Sequence, residues 1–216
     1  MKPNTQIICS IKSIYFIILI FNIFNINVYA QEVIEPTYPK FTFGAEWGCQ
    51  ATFFEGYDFN YFVPEGYRVD EEGINLRFNN NADMYFHVGY NINERMNISL
   101  YMGYAGLGDI HNAIPVSIRF TRYFGKDHMK DRWFAFGDIG SGISIKIPVQ
   151  EIAAGKIGAG YRISLSRDTK LDFHASVRAS YTHPEIIYDG TLIPNDRINR
   201  NNAYLCAISL GMAVVF

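Results

Sequence analysis

Residues 203–216 read AYLCAISLGMAVVF, and their alternation decides how the rest of the chain must be arranged. Tyr204, Cys206, Ile208, Leu210, Met212, Val214 and Phe216 share one face of an extended strand. Ala203, Ala207, Ser209, Gly211 and Ala213 dominate the other, with Leu205 and Val215 among them. Successive strand side chains point to opposite faces, so one side is bulky and apolar and the other mostly small. A strand of this kind needs a neighbouring strand for its backbone and a core or lipid for its bulky face.

The same period of two recurs upstream. Phe41, Phe43, Ala45, Trp47, Cys49, Ala51 and Phe53 alternate with Thr42, Gly44, Glu46, Gly48, Gln50 and Thr52. Met84, Phe86, Val88, Tyr90 and Ile92 alternate with Asp83, Tyr85, His87, Gly89 and Asn91. Segments 96–104, 114–124, 153–165 and 171–181 repeat the pattern, and 133–143 fits it if Phe134, Phe136 and Asp138 face inward. With the terminal segment this predicts eight strands. The mature part shows no amphipathic helix period. Connections 93–95, 125–132 and 166–170 are the shorter ones, whereas 54–82 and 182–202 are long. That parity matches an even-stranded barrel with both termini on the side of its short turns.

The chain starts with Lys2 and Lys12, continues with an apolar run over about 14–26 and reaches Val28-Tyr29-Ala30. Residues 1–30 therefore read as a cleaved secretory signal peptide, 31–40 as a periplasmic leader with Pro36 and Pro39, and 41–216 as the barrel. Removing Lys2 and Lys12 shifts the net charge from −2 to −4, which leaves no basic footprint for nucleic acid. The mature cysteines are Cys49 and Cys206. An oxidising compartment permits a bridge between them across the seam of the first and last strands; small lipid-facing cysteines are the alternative.

Alternation alone does not distinguish a membrane barrel from a soluble up-and-down barrel with an apolar pocket. The polar face does, because it is largely Gly, Ser, Thr, Asn and Tyr with isolated charges of both signs. Such a face suits a narrow interior, since eight strands leave little room. Tyr and Trp near the ends of the bulky face fit interface girdles. The expectation is an all-β, eight-stranded antiparallel up-and-down transmembrane β-barrel.

With its signal peptide, its 41–53 strand carrying Gly44 and Gly48, its Gly158-Ala159-Gly160-Tyr161 strand and its closing strand, the chain resembles the small outer-membrane β-barrel proteins of Gram-negative bacteria. The resemblance covers essentially all of the mature chain. It implies residence in the cell outer membrane among lipid and lipopolysaccharide, and handling by the barrel-assembly machinery. In that group a terminal Phe preceded by alternating apolar residues is the insertion signal; Ile208, Leu210, Met212, Val214 and Phe216 occupy the matching positions. Val214 stands where the group often has an aromatic residue.

The inward charges and histidines are Glu46, His87, Arg119, Asp138, Lys156, Arg162, Asp172, His174 and Arg178. Charges in a dry lumen must pair or cost several kcal/mol each, so an ion-pair network plugging the bore is expected, with Glu46 bridging to Arg119, Arg162 or Arg178. His174-Ala175-Ser176 also invites comparison with outer-membrane lipid A deacylases, which use a His-x-Ser pair and a further Glu, here Glu185. The continuation Val177-Arg178 departs from that family, and the pair faces the lumen. No metal-ligand spacing, phosphate loop or nucleophile motif stands out, so no cofactor is expected. The function expected is a non-enzymatic, monomeric outer-membrane protein with a structural or surface-interaction role through 54–82 and 182–202. A lipid A-modifying enzyme and a narrow pore are the alternatives.

Overall fold

The computed structural model describes residues 38–76, 78–107, 111–125, 127–145 and 151–216. The signal-peptide segment 1–30 and most of the 31–40 leader lie outside the described residues. Among the described residues eleven strands follow one another: β1 (Phe41–Phe62), β2 (Arg68–Asn75), β3 (Asn79–Asn93), β4 (Met96–Leu107), β5 (His111–Tyr123), β6 (Arg132–Ser144), β7 (Glu151–Ser164), β8 (Lys170–Thr182), β9 (Ile187–Tyr188), β10 (Thr191–Leu192) and β11 (Ile198–Val215). A nine-stranded antiparallel sheet runs β11-β8-β7-β6-β5-β4-β3-β1-β2, and β11 also pairs with β1. That pairing closes the ring on eight strands and leaves β2 outside it.

Closure is made by the stretch read first. Cys49 lies opposite Leu210, Trp47 opposite Met212 and Gly44 opposite Val215. Phe43 and Phe216 exchange backbone hydrogen bonds of 3.0 and 2.8 Å, and their rings stack with centroids 5.4 Å apart. Both faces of β11 fall as the alternation requires: Ala203, Leu205, Ala207, Ser209, Ala213 and Val215 are buried, while Tyr204, Ile208 and Leu210 face outward. Cys206 pairs with Phe54, four positions along β11 from the residue opposite Cys49. At about 3.4 Å per residue the two Cα positions are roughly 14 Å apart along the strands, beyond the reach of a bridge. Both are free thiols.

The outer surface is apolar around the ring. Phe41, Phe86, Leu100, Ile118, Ile139, Ile157 and Leu210 project from it, with Ile139 71% exposed. Such a continuous band is stable against hydrocarbon and not against water. Aromatic pairs mark both rims: Phe41–Tyr90 and Trp133–Tyr161 at the turn end, Tyr181–Tyr204 at the other. Spanning strands of 12 or more residues exceed the roughly 9–11 that a tilted crossing needs.

Two segments expected as loops are largely strand. β1 runs on past Phe53 to Phe62, turns through Val63–Tyr67 and returns as β2. Its partner on one side changes from β3, which it leaves at Thr52, to β2, which it meets at Glu55; β11 stays on the other side. At the other connection, 182–202 contains the β9–β10 hairpin, a single 3-10 turn (Asn195–Arg197) and the first residues of β11.

Candidate functional site

Two constellations emerge, one inside the bore and one above it. Inside, Arg119 on β5, Asp138 on β6 and Lys156 on β7 stand directly opposite one another in register. Glu46 enters from β1, which the strand order places across the ring from β6. Arg119 donates to Glu46 through Nη1 at 2.5 Å and Nη2 at 3.1 Å, and to Asp138 at 2.9 Å. Lys156 Nζ lies 3.2 Å from Glu46 and 4.0 Å from Asp138. His174 Nε2 lies 3.4 Å from Glu46 Oε1. Aromatic rings fill the space around the ions, with the Arg119 guanidinium 3.9 Å from the Tyr101 centroid and 4.3 Å from that of Phe136. Glu46 is 2% exposed. The group therefore crosses the bore from wall to wall.

Gly211 makes one of these contacts feasible. A Cβ there would sit 2.5 Å from His174 Nε2, so a larger residue on β11 would push the imidazole away from Glu46. The remaining inward charges expected from the sequence are placed differently. Arg162 pairs with Asp172 at 2.6 Å, one layer nearer the turn end. Arg178 donates to Gln50 and to the Tyr85 hydroxyl, each at 3.3 Å. His87 stacks on Tyr101 at 4.7 Å, and its Nδ1 has no hydrogen-bond partner. Of the three arginines considered for Glu46, Arg119 is the one that reaches it. His87 and Arg178 stand outside the network, because pleat parity places them inward without setting their height against a carboxylate.

Parity also reaches buried charges that the expectation omitted. Asp83, Arg132 and Lys170 are all inward and buried. Arg132 and Lys170 open β6 and β8, one residue before the segments read from the sequence, whereas Asp83 lies within β3 on the polar face already read there.

His174 and Ser176 are likewise inward and buried. Glu185 is an exposed residue beyond the end of β8, eleven positions from His174 along the chain. The three are not assembled into one site.

Above the barrel, the β1–β2 hairpin packs on the 183–197 connection. Tyr61 and Val63 meet Ile186 and Ile193 in a buried cluster, with Phe59, Val69, Tyr188 and Ile198 against it. The Tyr67 and Tyr188 hydroxyls hydrogen-bond; that contact and the nearby charge of Tyr67 raise the Tyr188 phenol to about 12. Arg200 on β11 bridges Asp58 at 2.8 Å and Asp70 at 3.0 Å. The Asn60 side chain beside it and the Arg200 guanidinium hold the Asp70 carboxyl below its usual range. Gly73 faces Tyr57 in register, and a Cβ there would lie 2.4 Å from the Tyr57 hydroxyl oxygen.

Among the described residues no group of three or more His, Cys, Asp or Glu is gathered for a metal ion. No protein-family model and no curated protein matches the sequence. Solved structures do match the fold. The outer membrane protein OprG from Pseudomonas aeruginosa superposes with a TM-score of 0.50 at 9% identity, over 83% of this chain and 97% of that one. AlkL, an outer membrane protein solved by solid-state NMR in lipid bilayers, gives 0.45 at 11% identity over 87% and 96%. Neisserial surface protein A gives 0.43 at 10% identity over 81% and 96%. At these identities the likeness concerns the fold alone: a closed antiparallel barrel of the outer-membrane type.

Proposed function

Starting from an integral outer-membrane β-barrel of eight strands, we propose a non-enzymatic role in which a closed barrel anchors a rigid surface platform. The platform is the β1–β2 hairpin together with residues 183–202. One observation carries this reading: the two long connections bury Tyr61, Val63, Ile186 and Ile193 against each other, outside the part of the barrel that its apolar belt encloses. Long connections that pack into a defined surface are suited to contact, and rigid scaffolds commonly carry binding on such segments. Asp70, Glu71 and Glu72 on β2 add exposed acidic side chains to that platform.

The bore supports the same reading from below. Glu46, Arg119, Asp138 and Lys156 form a neutral crossing layer braced by Tyr101 and Phe136, which suits an anchor better than a conduit. The experiment is protease shaving and surface biotinylation of intact cells, followed by binding assays with cells whose 56–74 hairpin is cut to a short turn. Cleavage within 63–67 from outside, with lost surface interaction and a retained barrel, is expected. A hairpin reached only after the outer membrane is opened would reject the surface reading.

A further inference from the structure

The turn end of the bore carries a charge imbalance that neither the central network nor the platform uses. Inward residues on three consecutive strands converge there. Arg132 on β6 lies directly opposite Arg162 on β7, and Arg162 lies opposite Asp172 on β8. Lys170 shares the inward face of β8, two residues from Asp172. Like charges directly opposite on one face of an antiparallel pair repel. Here the Tyr123 ring holds both guanidiniums, with centroid distances of 4.1 Å to Arg132 and 4.4 Å to Arg162.

Arg162 has Asp172 as its counter-ion. Arg132 and Lys170 are each 7% exposed, and no ion pair within 4.0 Å joins either to a carboxylate among the described residues. Arg132 donates through Nη1 to the Glu94 carbonyl at 2.6 Å, while its buried Nε has no hydrogen-bond partner. Lys170 donates to the Ser166 carbonyl at 2.7 Å. Both side chains line a pocket that opens at the turn end, where Thr42, Asn91 and Arg167 add further polar groups. Glu94 and Asp168 border the same pocket. Two buried cations without a carboxylate in direct contact are costly, and an anion between them lowers that cost.

We propose that this pocket binds a tetrahedral oxyanion of the phosphate-monoester or sulfate type, held by Arg132 and Lys170 with Arg162 behind them. A guanidinium fork matches two oxygens of such a group, and an ammonium serves as a point charge for a third. The same chemistry is offered by free inorganic phosphate and by the headgroup of a phosphomonoester lipid.

The test uses the folded full-length barrel in phosphate-free maltoside micelles, titrated with inorganic phosphate. Calorimetry follows binding, and urea unfolding follows stability. Saturable binding is expected, weakened roughly tenfold or more by Arg132→Gln and by Lys170→Gln, as loss of a charge-assisted contact implies. Arg132→Lys keeps part of the affinity, and Arg200→Gln, at the far end, binds like the native protein. Phosphate raises the unfolding midpoint of the native barrel and leaves that of Arg132→Gln unmoved. Absence of saturable binding, or equal binding by the native, Arg132→Gln and Lys170→Gln proteins, overturns the proposal. So does a midpoint in Arg132→Gln that falls by the same amount with and without phosphate, the mark of a purely structural arginine. Bilayer discs with and without phosphatidic acid then separate the sources: competition with phosphate assigns the site to a lipid headgroup, and its absence to the free anion.

Discussion

At the scale of the residue, Arg119 decides the state of the bore. Its guanidinium divides between Glu46 and Asp138 and is clamped by Tyr101 and Phe136. Truncating one member of a buried ion cluster leaves the others uncompensated, which costs roughly 3–5 kcal/mol. Arg119→Ala is expected to lose about that much in urea unfolding within micelles. Replacing Glu46 and Arg119 together by Gln and Met should lose less than the two single changes added, because coupled partners are not additive. The inward facing of Glu46, Arg119 and Asp138 was legible from parity. Their meeting was not: Glu46 is 73 positions from Arg119 in the chain, and only closure of the ring brings β1 across from β6.

At the scale of the element, one extra residue explains the platform. The β1–β11 register slips between Thr52 and Phe54, so Phe53 is the unpaired residue of a bulge. A bulge exchanges the faces of everything beyond it. Tyr57 then pairs with buried Ala203, and Tyr61 turns into the cluster over the barrel mouth. In the sequence these aromatics share the parity of Trp47 and would face lipid. The alternation does carry a local mark of the slip, since Phe54 falls on the polar parity and Glu55 on the apolar one before the earlier phase resumes at Tyr57. Asp189-Gly190 was a readable sign, because both residues adopt positive φ (45° and 73°) at the turn between β9 and β10. Gly73→Val should dislodge Tyr57, so that limited proteolysis cuts the hairpin several-fold faster while the barrel core stays resistant. Acid should loosen the same element. Asp70 has a depressed pKa in the folded state, so its contribution is full above the unfolded value of about 4 and lost as pH falls through the folded one. Proteolysis of 63–76 by an acid-active protease should rise on going from pH 5 to pH 3, and Asp70→Asn should abolish that rise.

At the scale of the whole molecule, the ring is closed by hydrogen bonds and ring stacking between chain segments far apart in sequence, without a covalent seam. Cys49 and Cys206 should both react with a maleimide once the barrel is in detergent, and an oxidant should not change its migration on a non-reducing gel. A bridged species would contradict the register. The filled bore predicts no large, stable, ohmic conductance in planar bilayers. Glu46→Ala removes the crossing carboxylate and is expected to produce small, flickering openings.

Strand count, the inward and outward face of nearly every spanning residue, and the pairing of the terminal strand with 41–53 follow from the sequence alone. The reason is that a pleated strand has a period of two, and a barrel in lipid imposes that period along its whole length. The tertiary structure alone decided which inward charges meet, which stay apart, and that the first long connection is a sheet. Those outcomes depend on the height of each strand against its neighbours and on where the register slips. Strand height is a property of the closed ring, which no local pattern records.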